Sequence, residues 1–435
     1  MSIKLNSLSA TSNTKINGCI NVPGDKSISH RAIIISSIAN GRTSIKGYLN
    51  STDIDATINA CRVIGADIKE DIDSLIIDGN NLEQRHGDNV ELNFGNSGTS
   101  MRLMMGVLSA QNFSSVLKGD DSLTQRPMNR VTNPLLRMNA DIKTSEGKPP
   151  VYINPVSFLK CVDHTIEIAS AQIKSSIMLA GLYGDGAFKI ITPQSRDHTE
   201  IMLTEFGCNI SVKADSIELV PGKLITPNHI EIPGDISSAA FFIIGSIISS
   251  DSQIKIDNVG LNPLRTGFIK ILKMMGANIQ ISNERIINGE LIGDIYTESS
   301  ILNGIDIPKE LISSSIDELP LIVLAASQAN GKTSIRNAEE LRVKESDRIR
   351  SMIRMMDKFR ISTDEFPDGM NIYGGSIIGA RVNSFGDHRI AMTALMASLV
   401  SDGDILVEDC KNIDTSFPTF IETANNLGMD INKND

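Results

Sequence analysis

Aromatic residues are scarce in this sequence: they make up 4% of its 435 residues, and tryptophan is absent. Acidic residues outnumber basic ones by 52 to 41, which gives a net charge of −11 at pH 7. No lysine- and arginine-rich tract stands out. Nucleic-acid binding asks for a basic surface and often for stacking aromatic rings, so we expect no nucleic-acid partner. An acidic chain that binds anions must instead gather its cations locally.

Cysteine is also sparse, with five residues, and no two of them form a C-x-x-C motif. The six histidines form no H-x-H or H-E-x-x-H pair, so the sequence predicts no metal site. Few, unpaired cysteines are typical of reduced thiols in the cytoplasm. The N-terminus has no basic segment followed by an apolar one, and the most apolar run, 239–248, is far too short to cross a bilayer. We therefore expect a cytoplasmic protein without a signal peptide or membrane partner.

Internal repetition indicates the domain organisation of a chain whose length and 41% apolar content suit two or three domains. A Pro-Gly-Asp turn, followed by serine and an apolar helical run, occurs at 23–39 and again at 233–248. A helical stretch that ends in a glycine or polar turn and enters a strand occurs six times, at intervals of roughly 70 to 80 residues. These junctions lie at 63–68, 136–142, 206–210, 275–279, 356–361 and 427–431. The even spacing predicts two similar α/β domains of three repeats each; chance recurrence of a common junction is the alternative.

The first Pro-Gly-Asp turn leads into Lys26, Ser27 and Arg31 at the expected start of a helix. Ser27 is a candidate cap, and the backbone N–H groups at a helix start favour an anion. A lysine, a hydroxyl and an arginine around such a start suit a phosphate or a carboxylate. A capped surface helix with solvated charges is the alternative. The stretch is not an ATP-binding P-loop, because Asp25 separates Gly24 from Lys26 and no other glycine has the required spacing.

Other predicted helix starts carry polar residues that suit an anion, although each signal is weak alone. The stretch 95–102 follows a strand and contains two glycines and several hydroxyl side chains. Pro127 restricts Arg126 to an extended backbone. Arg126 is therefore a candidate to bind an anion, and an ordinary solvated surface arginine is the alternative. Residues 170–175 combine serine, glutamine and lysine at a strand end. Residues 196–200 are dense in charge, with a helix cap and an acidic first turn as the alternative.

Carboxylates beside cations form a second group of candidates. Asp317 leads into an apolar helix, where it serves either as a cap or as a base facing a substrate hydroxyl. Residues 339–348 are the most charged ten in the chain, and Lys344 and Arg348 lie one helical turn apart with Glu345 beside them. A carboxyl among cations is a candidate general acid or base, with a solvated helix face as the alternative. Further along the chain, residues 386–389 (GDHR) place His388 and Arg389 at another predicted helix start that follows a glycine.

Taken in order, these motifs resemble those of the 5-enolpyruvylshikimate-3-phosphate (EPSP) synthase family along nearly the whole chain. The matching segments are PGDKSISHR, GNSGTSMR, the RP at 126–127, SAQIKS, RDHTE, the second PGD, DELP, ELRVKESDR and GDHRIAM. SAQIK and RDHTE are similar to the bacterial group often called class II. So many matches in one order argue against coincidence.

The resemblance implies an α/β fold of two similar domains, each of three repeated βαββαβ units, with the active site in the interdomain cleft. The first domain would comprise 1–23 plus 234–435 and the second 24–233, with hinges at 23–25 and 233–235. The family transfers the enolpyruvyl group of phosphoenolpyruvate to the 5-hydroxyl of shikimate 3-phosphate and releases phosphate, on the pathway to aromatic amino acids. The implied reaction is addition and elimination through a tetrahedral intermediate, without metal or organic cofactor. We also expect a monomer that glyphosate inhibits.

The resemblance further assigns roles to individual residues. Binding of shikimate 3-phosphate falls to Lys26, Ser27, Arg31, Ser170, Gln172, Arg196, Asp317 and Lys344. Binding of phosphoenolpyruvate falls to Lys26, Asn96, Gly98, Arg126, Gln172, Arg348 and Arg389. In catalysis, Asp317 is the base at the reacting hydroxyl and Glu345 the proton shuttle at the enol methylene, and the other catalytic residues are Lys26, Lys344 and His388. Both substrates carry a carboxylate and a phosphate, which fits a site with several cations.

Three positions depart from the family pattern. Ala171 replaces a second serine, which removes one hydroxyl contact. Glu340 stands where some members have asparagine. Thr415 stands where some members have a lysine that binds phosphoenolpyruvate, so we do not expect Thr415 to bind that substrate.

Two alternatives share the fold. UDP-N-acetylglucosamine enolpyruvyl transferases usually carry a cysteine in a loop near the region of Arg126, whereas no cysteine lies between Cys61 and Cys161 here. A non-catalytic phosphosugar-binding protein would not need Asp317 and Glu345, and both are present. These observations favour transfer to shikimate 3-phosphate.

Overall fold

The computed structural model describes residues 7–71 and 74–434. Within these ranges the chain divides into two compact units. Unit 1 comprises the described residues up to Pro23, the segment Pro233–Arg285 and the described residues from Leu291 onward. Unit 2 comprises Gly24–Ile232 and the short segment Ile286–Glu290. The main passages from one unit to the other therefore fall at the two Pro-Gly-Asp turns.

Strands and helices alternate along most of the chain. The strands are β1 (Ser7–Ala10), β2 (Asn17–Ile20), β3 (Arg42–Lys46), β4 (Asp67–Asp71), β5 (Ser74–Asp78), β6 (Val90–Asn93), β7 (Ser115–Lys118), β8 (Asp141–Ser145), β9 (Lys148–Asn154), β10 (His164–Thr165), β11 (Phe188–Ile191), β12 (Asn209–Val212), β13 (Ser216–Val220), β14 (His229–Glu231), β15 (Gln253–Gly260), β16 (Ile279–Ile287), β17 (Glu290–Glu298), β18 (Lys332–Ile335), β19 (Thr363–Phe366), β20 (Gly369–Tyr373), β21 (Ile377–Ile378), β22 (Arg381–Asn383), β23 (Ser401–Asp402), β24 (Ile405–Glu408) and β25 (Ile431–Asn434). The helices are α1 (Lys26–Ile38), α2 (Thr52–Val63), α3 (Gly98–Leu108), α4 (Asn129–Arg137), α5 (Ala171–Gly181), α6 (His198–Glu205), α7 (Ile236–Ile248), α8 (Gly267–Met275), α9 (Lys309–Ser315), α10 (Leu319–Ser327), α11 (Arg348–Lys358), α12 (His388–Met396) and α13 (Phe420–Leu427).

The sheet β6-β7-β9-β8 shows the arrangement that recurs in both units. β6 and β7 are parallel neighbours joined through α3, because parallel strands require a crossover connection. α4 then leads from β7 to β8. A tight turn at Glu146 and Gly147, both with positive φ, joins β8 to its antiparallel neighbour β9. The order of elements in this repeat is therefore strand, helix, strand, helix, strand, strand.

The other sheets show the same order of neighbours. Unit 2 also contains β14-β3-β5-β4 and β10-β11-β13-β12. Unit 1 contains β2-β15-β17-β16, β22-β24-β1-β25 and β18-β20-β19, and Asp306 forms a parallel bridge to Ser334 of β18. The α/β class is confirmed. The observed βαβαββ order differs from the βαββαβ order that the resemblance implied, because both helices of a repeat precede its antiparallel hairpin.

Short strands at the beginning of the described chain complete sheets formed by its second half. β1 lies between β24 and β25, and β2 pairs in parallel with β15. In unit 2, β14 pairs in parallel with β3, more than 180 residues earlier. Because β1 and β2 pair with strands of the second half of the chain, unit 1 is discontinuous in sequence.

Each of the six helix-to-strand junctions found in the sequence contains a residue with positive φ. These residues are Gly65, Asn139, Gly207, Gly276, Arg360 and Gly428, with φ between 61° and 116°. A left-handed residue after the last turn is a common way to end a helix, and glycine and asparagine adopt it at the lowest cost. The sixfold pattern in the sequence thus corresponds to a repeated backbone conformation.

One helix of each repeat is buried on nearly all sides. These helices are α1, α3, α5, α7, α10 and α12. α3 packs against both α1 and α5, and α7, α10 and α12 pack against one another. α1 buries every residue from Ile28 to Ile38, polar ones included. Such helices lack an amphipathic stripe because no face meets water. Among the residues that the structure describes, no helix is long and apolar enough to cross a membrane.

Aspartates of the two Pro-Gly-Asp turns cap the helices that follow them. Asp25 accepts a hydrogen bond from the backbone N of Ile28 at 2.9 Å and is the cap of α1. Ser27, the cap suggested by the sequence, lies instead in the first turn, because Asp25, with φ −57° and ψ 120°, is the last residue with a non-helical backbone before the helix. Asp235 accepts from the backbone N of Ser237 and caps α7 in the same way.

The turn between β16 and β17 belongs to a different unit from the one that the expected domain boundaries give it. The segment Ile286–Glu290 belongs to unit 2, whereas the bounds predicted from the two Pro-Gly-Asp turns placed the whole hairpin in the first domain. Glu290 Oε1 lies 2.5 Å from Nδ1 of the buried His198, and Asn288 donates to the carbonyl oxygen of His229 at 3.1 Å. These partners lie 92 and 59 residues away in sequence, so the turn itself carries no local signal for them.

Candidate active site

The residues for which the sequence predicts a role lie at or near the starts of helices. The unit 1 set consists of Asp317, Lys344, Glu345, Arg348, His388 and Arg389. The unit 2 set consists of Lys26, Ser27, Arg31, Asn96, Gly98, Arg126, Ser170, Gln172 and Arg196. The first turn of a helix presents N–H groups without intrahelical partners and carries partial positive charge. Both sets therefore stand where phosphate and carboxylate groups are favoured.

Arg348 is the centre of the unit 1 set and is only 1% exposed. Its Nη2 donates to Glu345 Oε2 at 2.6 Å, and its Nη1 donates to Asp317 Oδ1 at 3.3 Å. The two carboxylates predicted to move protons therefore share one guanidinium. Burial lowers the pKa of Arg348, but the carboxylates of Asp387, Glu345 and Asp317 raise it above its ordinary value. The guanidinium thus stays charged and holds both carboxylates in place.

Asp387 is a third carboxylate that balances the charge of Arg348, and sequence reasoning missed it. It accepts from Arg348 Nε at 2.8 Å and from Nη2 at 3.3 Å, a bidentate pair. It also accepts from the backbone N of Arg389 at 3.0 Å, as the cap of α12, and from Ser346 Oγ at 3.2 Å. Its only sequence signal is an aspartate before a helix, which usually indicates a cap alone.

Three cations of the unit 1 set surround Asp317. Besides Arg348, Arg389 Nη2 lies 3.8 Å from Oδ2 and Lys344 Nζ lies 4.0 Å from Oδ1. These charges compensate a carboxylate that is only partly exposed. The arrangement suits a group that accepts a hydrogen bond, and then a proton, from a substrate hydroxyl.

A buried relay fixes Arg389. Its Nη1 donates to the backbone oxygen of Asp317 at 2.9 Å and lies 3.5 Å from Glu318 Oε1. Glu318 also accepts from the hydroxyl of Ser237, which in turn accepts from Arg265 Nη2 at 2.8 Å. Glu318 and Arg265 were not among the predicted residues. The DELP motif contains the only hint of Glu318, and nothing local marks Arg265.

In unit 2, Lys26 begins α1 and forms a salt bridge with Asp53. Asp53 lies in the first turn of α2 and is almost fully buried. Sequence reasoning missed Asp53, because an acidic residue in a first helical turn is common in any protein. The bridge holds the ammonium group beside the start of α1, where an anion is favoured.

Arg126 and Gly98 lie together in unit 2. As predicted, Arg126 has an extended backbone before Pro127, with φ −82° and ψ 136°. Its Nη2 donates to Asn96 Oδ1 at 2.6 Å. A Cβ at Gly98 would lie 3.2 Å from Arg126 Nη1 and 3.4 Å from Arg102 Nη1, closer than ordinary van der Waals contact. The missing side chain therefore leaves room beside two guanidinium groups.

Gln172 is fixed by residues of α3. Its Oε1 accepts from Arg102 Nη1 at 2.7 Å, and its Nε2 donates to Thr99 Oγ1 at 2.9 Å. Arg102 Nη2 also donates to the backbone oxygen of Pro127 at 3.1 Å. Arg102, not among the predicted residues, thus connects the starts of α3 and α5 with the segment that carries Arg126.

Arg31 is a predicted binding residue whose guanidinium group is fixed by protein oxygens. It is 3% exposed. Its Nε donates to Thr199 Oγ1 at 2.6 Å, its Nη2 to Ser175 Oγ at 3.0 Å and its Nη1 to the backbone oxygen of Ser27 at 2.9 Å. These contacts orient the first turn of α1 from within the unit.

The remaining predicted residues also stand at helix starts. His388 is the first residue of α12 and is buried, Ser170 is the N-cap residue of α5, and Arg196 is half-buried two residues before α6. Thr415 Oγ1 donates to the backbone oxygen of Asn412 at 2.7 Å in a 3-10 turn. Across residues 7–71 and 74–434, no cluster of three or more histidine, cysteine, aspartate or glutamate side chains is placed to hold a metal ion.

Comparison with known proteins gives a consistent result. A family model described as EPSP synthase (3-phosphoshikimate 1-carboxyvinyltransferase) matches residues 10–424. The chain is 46% identical over 417 residues to the 3-phosphoshikimate 1-carboxyvinyltransferase of Vesicomyosocius okutanii, covering 95% of this chain and 96% of the relative. It is 45% identical to the enzyme of that name from Hydrogenovibrio crunogenus, covering 96% of each chain. Among solved structures, an EPSP synthase from Acinetobacter baumannii has a TM-score of 0.87 at 41% identity, covering 98% of this chain and all of that chain.

Proposed function

The chain belongs to the EPSP synthase family and transfers the enolpyruvyl group of phosphoenolpyruvate to shikimate 3-phosphate, and we propose that the unit 1 and unit 2 sets both serve this reaction. The observation that carries the proposal is the convergence of Glu345 and Asp317 on the guanidinium of Arg348. Two carboxylates in different surroundings suit a reaction that needs two separate proton transfers.

We assign the two proton transfers as follows. In the addition step, the oxygen of the 5-hydroxyl bonds to C2 of phosphoenolpyruvate and its proton passes to Asp317. Glu345 delivers a proton to C3, which turns the methylene into a methyl group and gives a tetrahedral intermediate. In the elimination step, Glu345 takes a proton back from the methyl group, the bond between C2 and the phosphate oxygen breaks, and phosphate leaves with the proton that Asp317 had accepted, which restores both carboxyl groups. Arg348 orients both carboxylates throughout.

The anionic groups of the substrates require cations from both sets. Shikimate 3-phosphate is assigned to Lys26, Ser27, Ser170, Gln172, Arg196 and Lys344. Phosphoenolpyruvate is assigned to Lys26, Asn96, Gly98, Arg126, Gln172, Arg348 and Arg389. The support is chemical, since guanidinium groups and helix starts recognise carboxylates and phosphates. His388 is assigned to the group around Glu345, and Thr415, engaged in its own turn, to neither substrate.

The acceptor can be tested directly. Purified protein is incubated with phosphoenolpyruvate and either shikimate 3-phosphate or UDP-N-acetylglucosamine, and released phosphate and the enolpyruvyl product are both measured. We expect equal amounts of the two products with shikimate 3-phosphate and neither with the nucleotide sugar. Transfer to the nucleotide sugar would contradict the assignment, and so would binding of shikimate 3-phosphate without turnover.

We further propose that glyphosate competes with phosphoenolpyruvate. It carries a carboxylate, a phosphonate and a charged nitrogen between them, and so requires the same cations. It is slightly longer than phosphoenolpyruvate and needs the room left by the missing Cβ of Gly98. A methyl group at Gly98 would lie 3.2 Å from Arg126 Nη1, so the longer ligand should lose more than the shorter one.

Gly98→Ala should therefore raise the inhibition constant for glyphosate by about tenfold or more, with a smaller rise in the KM for phosphoenolpyruvate. Steady-state kinetics with both ligands gives the two constants. Gly87→Ala is the matched control, because a Cβ at Gly87 has no atom within 4 Å, and it should change neither constant. Equal rises in both constants, or no rise in either, would show that Gly98 does not shape this pocket.

Location and oligomeric state complete the proposal. We assign the protein to the cytoplasm, with support from the five cysteines, which are free thiols. We assign a monomer, since a single chain supplies every residue of both sets. Light scattering on the purified protein measures the molar mass, and a value of twice the 47.1 kDa chain would replace the monomer by a dimer.

A further inference from the structure

The motifs SAQIKS and RDHTE meet inside unit 2 through a buried ion pair. Lys174 Nζ contacts the carboxylate of Glu200, and the two side chains are 4% and 3% exposed. Lys174 lies on α5 and Glu200 in the first turn of α6. Desolvation raises the pKa of Glu200, and the ammonium of Lys174 acts in the opposite direction. Neither residue has a part in the reaction described above.

A second contact of Lys174 connects this ion pair to the segment that carries Arg196. Its Nζ also donates to the backbone oxygen of Ser195 at 3.1 Å. Ser195 immediately precedes Arg196, in a segment without regular secondary structure between β11 and α6. The buried ammonium therefore fixes the backbone from which Arg196 projects, while Glu200 fixes the ammonium.

A neighbouring contact connects the same segments. Thr199 Oγ1 lies 2.6 Å from Ser175 Oγ and accepts from Arg31 Nε at 2.6 Å. Hydrogen bonds of Arg31, Ser175 and Thr199 thus join α1, α5 and α6 near the helix starts at which Ser27, Ser170 and Arg196 lie. A buried ion pair adds little stability by itself, and an apolar pair of similar volume is often as stable or more so. Stability alone therefore does not account for the charges.

We propose that Lys174 and Glu200 are positioning residues that hold the segment carrying Arg196 and so set the affinity for the phosphate of shikimate 3-phosphate. The inference rests on the proposed function, in which Arg196 binds that substrate. It predicts an effect on one substrate only, because the ion pair contacts no residue assigned to phosphoenolpyruvate alone.

The double variant Lys174→Met/Glu200→Leu removes both charges together and keeps an apolar filling. We expect the KM for shikimate 3-phosphate to rise about tenfold, the size expected for losing one hydrogen bond from a charged group. The KM for phosphoenolpyruvate and kcat should stay within about twofold. Thermal unfolding monitored by circular dichroism should show a cooperative transition near that of the unmodified protein. An unchanged KM for shikimate 3-phosphate, or equal rises for both substrates, would overturn the proposal.

Two further variants serve as a second test of the ion pair and as a matched control. Lys174→Gln/Glu200→Gln fills the space with neutral polar side chains and replaces the long lysine at 174 by a shorter side chain, so the same selective rise is expected. It decides the matter if the apolar variant does not fold. Lys189→Met/Glu218→Leu is the matched control, since this ion pair joins β11 to β13 at 3.6 Å and is well exposed. It should change neither KM.

Arg196→Ala separates failure of this inference from failure of the proposed function. We expect this variant to raise the KM for shikimate 3-phosphate, and adding Lys174→Met/Glu200→Leu to it should cause little further change. If Arg196→Ala raises the KM and the double variant does not, the positioning role is wrong and the function of Arg196 stands. If Arg196→Ala has no effect, both its proposed function and the positioning role through it are wrong. Fully multiplicative effects would also overturn the positioning role.

Discussion

Replacing Glu345 by glutamine should lower kcat about 10²- to 10⁴-fold and leave the binding of both substrates largely unchanged. Glutamine has the same shape, and its amide oxygen can still accept from Arg348 Nη2, which donates to Glu345 at 2.6 Å. It cannot carry a proton to or from the enol methylene. The loss should therefore appear in turnover at saturating substrate, with dissociation constants from calorimetry close to the original values.

Glu339→Gln is the matched control for this variant. Glu339 lies six residues earlier, in an exposed position at the start of a 3-10 turn. Its substitution should leave kcat unchanged. If Glu345→Gln also turned over at a near-normal rate, the proton shuttle would have to be assigned to another group.

Replacing Arg389 by alanine should weaken the binding of phosphoenolpyruvate by about 2–5 kcal/mol, the cost of truncating one partner of a buried, hydrogen-bonded charge pair. Every 1.4 kcal/mol corresponds to a tenfold change in the dissociation constant, so the expected range is about 30- to 4,000-fold. Arg389 is 12% exposed and is held by the backbone of Asp317 and by Glu318, so it is pre-organised for one ligand geometry. Binding of shikimate 3-phosphate alone should change little.

Calorimetric titration of each substrate measures this division of the cations. Arg381→Ala is the control, because Arg381 is 69% exposed and pairs with Glu408 on the neighbouring strand. It should alter neither affinity. Equal weakening of both substrates by Arg389→Ala would contradict the assignment of Arg389 to phosphoenolpyruvate.

Local chemistry explains what the sequence made predictable. Positive φ at the six helix-to-strand junctions favours glycine or asparagine, and these residues reveal the repeat before any contact is known. Helix starts can also be predicted from the sequence, because prolines, aspartates and hydroxyl residues are common there. Arg126 has the extended backbone that Pro127 imposes.

Long-range pairing explains what sequence reasoning missed. Asp387 balances Arg348 from 39 residues away, and Arg102 reaches Gln172 from 70 residues away. Spacing places each residue at a helix start but does not say which charges will face each other once the repeats pack. Asp53 looked like any acidic residue in a first turn for the same reason. The contacts of Arg31 with Thr199 and Ser175, which lie 168 and 144 residues away, were not predictable for the same reason.

The proposed roles of Glu345 and of a tetrahedral intermediate can be tested together by running the reaction in deuterated water. Protonation of the enol methylene by Glu345 creates a methyl group that carries solvent deuterium, and elimination returns the methylene with part of that deuterium retained. We predict deuterium in the methylene of the product, detected by mass spectrometry and NMR. We also predict that Glu345→Gln lowers the rate of this incorporation in parallel with the release of phosphate. Product formed at the full rate with no deuterium in its methylene would contradict the account.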